Sequence, residues 1–194
     1  MQIVEEFPSG VLLLQLEVFR DDRGYFFESY NQAKFDRLVP NVRFVQDNQS
    51  RSRGNVLRGL HYQIRQPQGK LVRVLQGEIF DVAVDLRRVS PSFGSWNGVR
   101  LASEQAQMIW IPPGFAHGFL ALSDSAEVQY KATDYYAAPH ERTILWNDPD
   151  LAIGWPIEGS PVLSAKDERG IRLRDAEVYH WLTPPPTTIS AVLR

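Results

Sequence analysis

The stretch KLVRVLQGEIFDVAVDL, Lys70–Leu86, sets the fold class. It consists of two aliphatic and aromatic runs, Lys70–Gln76 and Glu78–Leu86, separated by one glycine. An extended chain alternates its side chains between two faces, and β-branched residues suit that conformation. Each run therefore reads as a strand, and Gly77 followed by Glu78 reads as a tight hairpin between them.

The same signature recurs on both sides. Short runs at 11–18 (VLLLQLEV), 25–30 (YFFESY), 42–48 (VRFVQDN), 96–102, 107–111, 117–122 and 126–133 are separated by Gly, Pro, Asn or Asp. Helical periodicity is scarce. NQAKFDRLV offers Asn31 as an N-cap, and RDAEVYHWL near the end reads as a second short helix. A mainly β protein follows, built as an antiparallel sandwich, jelly roll or small barrel.

Composition narrows the function classes. The chain has 194 residues, 43% of them hydrophobic, enough to bury a sizeable core. A net charge of −2 gives no electrostatic reason to expect nucleic acid or an acidic membrane surface as partner. No apolar run approaches the roughly 20 residues that span a bilayer, and no signal-peptide pattern is present. With no cysteine there are no thiol nucleophiles or thiolate metal sites. A cytoplasmic location is the expectation.

One strand contains residues that a buried strand ordinarily avoids. NVLRGLHYQI, 55–64, carries Arg58 and His61 within an apolar run, and a polar group facing a core must be paired. Strict alternation would put these two on opposite faces. Gly59 between them predicts a bulge that turns both to one side. Alternation also puts Gln46 and Asn48 on one face, and Phe26 and Glu28 on one face. Such residues either line an enclosed cavity or form the solvent face of a sheet.

Among the four histidines, His61 and His117 stand in β contexts, while His140 and His180 read as surface residues. Pro112 to His117 gives P-x-G-x-x-H, which resembles half of the metal signature of cupin barrels. The other half, H-x-H, would fall at His61-Tyr62-Gln63, where one ligand is missing. Two imidazoles without a third ligand make a poor zinc or iron site, although Glu or Gln could supply one. The expectation is no metal.

Nine segments then occur in a telling order: FRDDRGYFFE, QDNQSRS, VLRGLHYQ, QGKLVRV, GEIFDVAVDLRRVSPSFG, IWIPPGFAHGF, YKATDYYA, ERTILWNDP and LSAKD. Together they resemble the dTDP-4-dehydrorhamnose 3,5-epimerase family from about Phe19 to Asp167. The resemblance implies a cupin-type double-stranded β-helix, a jelly-roll barrel with a few short helices, usually a homodimer. It implies a single cupin-like domain over residues 1–194. In it 171–194 is a C-terminal extension, expected to be disordered or to pack on a partner subunit. It also implies a cofactor-free isomerase of dTDP-L-rhamnose biosynthesis, acting on dTDP-4-dehydro-6-deoxy-D-glucose. The C4 ketone of that sugar acidifies the hydrogens on C3 and C5. Inversion then needs a base, an acid across the ring and a donor near the ketone oxygen.

The resemblance assigns these roles. His61 matches the general base, Asp167 its carboxylate partner, Tyr130 the proton donor on the other face and Lys70 the cation near the C4 oxygen. Arg23, Arg58 and Lys166 would meet the diphosphate. Gln46, Asn48 and Glu28 would contact the nucleoside, and Tyr136, or else Tyr135, would stack on thymine. Phe26, His117 and Glu141 complete the substrate contacts. Three other readings compete: a paralogue inverting C3 alone or C5 alone, a metal-dependent cupin such as a dioxygenase, and a non-catalytic nucleotide-sugar-binding domain. RRVSPSFGSW, 87–96, reads as a long turn or part of a dimer contact, and Trp110 and Trp146 read as core.

Overall fold

The computed structural model describes residues 1–183. Its strands are β1 Gln2–Glu6, β2 Leu12–Gln15, β3 Phe19–Asp21, β4 Gly24–Phe26, β5 Gln46–Arg53, β6 Leu57–Gln63 and β7 Lys70–Gln76. Then come β8 Glu78–Asp85, β9 Trp96–Ala102, β10 Gln107–Ile111, β11 Phe115–Ala121, β12 Ser125–Ala132 and β13 Glu141–Thr143. Two short α-helices, α1 Gln32–Phe35 and α2 Ala165–Glu168, join them. A six-stranded sheet has the order β1-β2-β10-β7-β12-β5, a five-stranded sheet the order β13-β6-β11-β8-β9, and β3-β4 form a separate ribbon. The ladders of both large sheets are antiparallel.

Three apolar layers hold the sheets. Between them lie Val72, Val74 and Val128 from one sheet and Ile79, Ala83, Phe115 and Phe119 from the other. The outer face of the six-stranded sheet, with Leu14, Leu71 and Trp110, is covered by the segment around α1. There Asn31 caps the helix by accepting from the Lys34 amide at 3.2 Å. Phe35 is fully buried and meets Phe44 and Trp110 in tilted and edge-on contacts. Burying one such ring contributes about 2–3 kcal/mol. The outer face of the five-stranded sheet, with Leu60, Tyr62, Val82 and Val84, is covered by Leu151, Trp155, Tyr179 and Trp181. No helix among the described residues is long and apolar enough to cross a membrane.

Two expectations are corrected. Gly77 does not close a hairpin, because β7 lies between β10 and β12 while β8 lies between β11 and β9, in the other sheet. Both runs are apolar on both faces, so each belongs in the centre of a sheet, and alternation cannot say which sheet. Gly77 turns the corner between them at φ +77°, where a Cβ would overlap the Ser125 carbonyl oxygen.

The second concerns RDAEVYHWL, which is no α-helix. One 3₁₀ turn at Leu173–Asp175 is followed by extended chain. The Asp148 carboxylate captures the Leu173 amide at 2.6 Å, and Tyr179 pairs its backbone with Leu86 and Arg88. Burial of Tyr179 and Trp181 on the sheet outweighs helix propensity. The C-terminal extension as far as Trp181 thus packs on this chain's own sheet, and 184–194 lie outside the described residues. Of the two tryptophans read as core, Trp110 is buried and Trp146 half-buried.

Candidate active site

The bulge expected at Gly59 is present. On β11 and β6, His117 stands opposite His61, but Phe119 stands opposite Arg58, so two steps of one strand match three of the other. Phe115 and Phe119 face the interior, and His117 between them shares that face. The bulge sets His61 opposite His117 and Arg58 opposite Phe119; His61 is half-buried, while Arg58 stays exposed. Glycine is required there: φ is +122°, and a Cβ would sit 2.5 Å from Gly118 Cα and 2.8 Å from the His117 carbonyl oxygen. Arg58 reaches across to β5, donating to Ser52 Oγ at 2.9 Å and to the Arg51 carbonyl at 3.2 Å.

The facing sheet supplies the other half. Tyr130 on β12 is flanked by Asn48 and Val72, and Ala132 by Gln46 and Lys70. Val72 lies in the interior core, so Lys70, Tyr130, Gln46 and Asn48 point inward. Along β5 the inward residues are half-buried or buried while Asp47, Gln49, Arg51 and Arg53 are exposed, which decides against a solvent face for Gln46 and Asn48. Gln46 donates to Asn48 Oδ1 at 2.9 Å and accepts from the Tyr136 amide at 2.8 Å. Sheets pack roughly 10 Å apart. His61 on one and Tyr130 on the other therefore stand on opposite walls of the slot between the two sheets.

Asp167 arrives on α2. Ser164 caps this helix and donates its hydroxyl to Asp167 Oδ2 at 2.6 Å, while His61 Nε2 donates to Asp167 Oδ1 at 2.5 Å. With Nε2 carrying that proton, Nδ1 keeps a free lone pair. Burial lowers the His61 pKa below 6.5, the Lys166 and Lys70 charges add to this, and the bond to Asp167 opposes it. His61 is therefore neutral at pH 7, a state in which it can accept a proton. Burial opposes ionisation of Asp167, but the His61 and Ser164 hydrogen bonds outweigh it and hold the carboxyl below its usual range.

The remaining groups are tuned too. Burial, and then the Glu141 charge, raise the Tyr130 pKa, so its hydroxyl stays protonated. Burial pushes the Lys70 ammonium down to about 8, against the attraction of Asp81 and Glu141. Its Nζ lies 5.7 Å from the centre of the Tyr130 ring. His117 is 6.5 Å from the same ring, centre to centre. At the rim Lys166 pairs with Glu141 at 2.9 Å, and the Tyr136 hydroxyl donates to Glu141 at 3.1 Å. Tyr135 and Tyr136 leave their rings exposed there. Gln63, at the place of the missing cupin histidine, binds backbone instead. It donates to the Gln66 and Tyr135 carbonyls and accepts from the Ala137 amide.

Arg23, Phe26 and Glu28 are not brought to this cluster. Arg23 is paired with Asp21 at 2.5 Å on the exposed β3–β4 ribbon, and Glu28 with Lys34 at 3.0 Å. Chain beside the ribbon packs Phe27 under Arg73, on the outward face of β7. Sequence reasoning also missed Asp81, which accepts from His117 Nε2 at 2.8 Å, and Ser164. An acid inside the apolar run EIFDVAVD was the available signal for Asp81.

Fold and site together define the class: a cupin-type β protein with an isomerase's polar cluster enclosed between its sheets. Residues 8–175 match the sequence profile of the dTDP-4-dehydrorhamnose 3,5-epimerase family. The enzyme of that name from Pseudomonas aeruginosa is 59% identical over 170 residues, covering 87% of this chain and 94% of that one. The dTDP-6-deoxy-D-glucose-3,5-epimerase of Legionella pneumophila was solved with dTDP-4-keto-L-rhamnose. It superposes with a TM-score of 0.86 at 47% identity, over 88% of this chain and 93% of that one. A 3′-monoepimerase of Streptomyces bikiniensis, solved with dTDP-quinovose, gives 0.80 at 32% identity, over 85% and 84%. This chain belongs to the dTDP-4-dehydrorhamnose 3,5-epimerase family.

Proposed function

We propose that the chain inverts C3 and C5 of dTDP-4-dehydro-6-deoxy-D-glucose, with no cofactor, in dTDP-L-rhamnose biosynthesis. The observation that carries this is the placement of the His61–Asp167 pair and Tyr130 on opposite walls of one slot. His61 Nδ1 takes the proton from the carbon beside the C4 ketone, and the bonding pair moves to the ketone oxygen as an enolate. The Lys70 ammonium stabilises that oxygen. The Tyr130 hydroxyl then delivers a proton to the same carbon from the other side, inverting it. Exchange with solvent restores both groups. Arg58 and Lys166 meet the diphosphate, Gln46 and Asn48 the nucleoside, and Tyr136 stacks on thymine, with His117 and Glu141 on the sugar side.

The reading includes a cytoplasmic homodimer. Phe19, Tyr25 and Phe26 are 55%, 67% and 69% exposed on the β3–β4 ribbon, an apolar surface that a partner would cover. In that dimer Arg23, Phe26 and Glu28 serve the partner's site. Mixing inactive Arg23→Ala and His61→Asn proteins should regenerate activity in one of the two sites; no recovery from verified heterodimers removes this part.

Heavy-water incubation with the sugar nucleotide, followed by NMR at C3 and C5, tests the whole. Deuterium and inversion at both centres are expected. The similarity to a 3′-monoepimerase makes reaction at C3 alone the second reading. Binding without any carbon-bound exchange would overturn both.

A further inference from the structure

Residues 177–181 form a strap across the outer face of the five-stranded sheet, beyond the span 8–175 matched by the family profile. The proposed chemistry makes no use of this strap, but it is fastened at several points. The Tyr179 amide donates to the Leu86 carbonyl at 3.0 Å, and the Tyr179 carbonyl accepts from the Arg88 amide at 2.7 Å. The buried Tyr179 ring stands edge-on to Tyr62, 6.1 Å between centres, and 4.6 Å from Trp181.

Two further bonds tie the strap to β6, the strand that carries His61. The Tyr62 hydroxyl donates to the Glu177 carbonyl at 2.6 Å, and the Tyr179 hydroxyl donates to the Gln63 carbonyl. A third reaches β13, where Arg142 Nε, beside Glu141, donates to the Glu177 carboxylate at 2.6 Å. Gln63 is buried at the end of β6, and its side chain holds both neighbours of Tyr136. Its Nε2 donates to the Tyr135 carbonyl at 3.2 Å, and its Oε1 accepts from the Ala137 amide at 2.8 Å. An unbroken set of contacts thus runs from Tyr179 through Gln63 to the rim loop, where the Tyr136 ring is left exposed.

We propose that the strap is a positioning element for the nucleotide end of the site: Tyr179, acting through Gln63, fixes the rim loop so that the Tyr136 ring is set to stack on a base. An aromatic ring on a loop that must first be ordered loses affinity to that ordering, and a loop tied down in advance does not. The strap lies far from the reacting carbons in this arrangement, so it should act on binding and leave the chemical step alone.

The inference rests on the nucleotide-sugar reading for its binding arm. Tyr179→Phe keeps the ring and removes the hydroxyl. The Kd for dTDP, by calorimetry, and KM should both rise about 3- to 10-fold with kcat unchanged. In a Tyr136→Ala background the same substitution should leave Kd for dTDP within about twofold, because the ring it positions is gone. An unmoved Kd in folded Tyr179→Phe, or an undiminished effect in the Tyr136→Ala background, overturns the proposal. Hydrogen exchange of the free protein needs no ligand: the Ala137 amide should exchange about tenfold faster in Tyr179→Phe, while that of Val82 in β8 keeps its rate. Equal acceleration at both, or none at Ala137, overturns it. Where the variant fails to fold, saturating dTDP should slow exchange of the wild-type Arg88 amide, since coupling between strap and rim is reciprocal; an unchanged rate overturns it. A wild type that binds no dTDP would remove the nucleotide reading and leave the Ala137 exchange to decide whether the strap holds the loop.

Discussion

Asp81 and Asp85 lie on the same face of β8, and both are completely buried. Asp85 accepts from the Arg87 amide, Nε and Nη2 at 2.9, 2.8 and 2.7 Å, and from the Ser90 and Ser92 hydroxyls at 2.7 and 2.8 Å. Arg87 in turn donates to the Ser9 carbonyl and lies over the Phe115 ring. This is why RRVSPSFG folds as a turn: it wraps a carboxylate. Asp81 has one partner and one orphan oxygen. A fully bonded buried charge fixes a scaffold, whereas an incompletely bonded one is tolerated where function uses it. The contrast sorts the polar interior into a framework end and a reactive end.

The largest expected effect lies at the reactive end. His61→Asn should lower kcat about 10⁴-fold, as does disabling a histidine–carboxylate pair in other enzymes. Its melting temperature should stay at or above that of the wild type, read by calorimetry on the same preparation. A stability loss equal to that of a framework variant would erase the distinction.

Next comes the framework. Asp85→Asn leaves the Arg87 guanidinium buried and uncompensated, at a cost of about 3–5 kcal/mol in urea unfolding. Burial opposes ionisation of Asp85, but the bonds from Arg87, Ser90 and Ser92 outweigh it and hold the carboxyl below 3.8. A depressed folded value means the ionised bonds stabilise the protein above 3.8, and this is lost as pH falls through the lower value. The two proteins should therefore converge in stability in strong acid. Divergence there would refute the assignment.

A third test concerns pH and turnover. The kcat/KM profile should rise through a pKa below 6.5 as His61 loses its proton, then fall near 8 as Lys70 loses its charge. A plateau persisting beyond pH 9 would show Lys70 to be dispensable as a cation, leaving Tyr130 alone to set the upper limit.

The smallest effect sharpens the boundary between the two ends. Ser164 is both helix cap and donor to Asp167. Ser164→Ala should cost about 1 kcal/mol of stability and a several-fold loss in kcat, seen together in melts and steady-state rates. Loss of stability with kcat intact would assign Ser164 to the framework alone.

Much of this was legible in residue order. The β-branched and aromatic runs KLVRVLQ, WNGVRLA and QMIWI gave strands at their observed bounds, and EIFDVAVDL ran one residue past the strand's end at Asp85. The apolar run at 42–48 points to a strand that the structure places at Gln46–Arg53 instead, because QSRSR has no apolar alternation; its inward face is polar because it lines the slot. The Gly59 bulge could be argued from Arg58 and His61 alone, since two costly polar groups in one strand imply a shared use. Asp81 was passed over because its partner, His117, is thirty-six positions away and joins it only through strand pairing.

Residue order thus fixed the β class, the strands and the residue types able to move a proton, because alternation and side-chain chemistry are local. Which sheet received each strand depended on the packing of both faces at once, as the crossing at Gly77 shows. Folding likewise set His61 across from Tyr130, gave Asp167 to His61 and left Arg23, Phe26 and Glu28 outside. Those outcomes rest on contacts far apart in the chain, and their desolvation and charge balance exist only once the two sheets have closed.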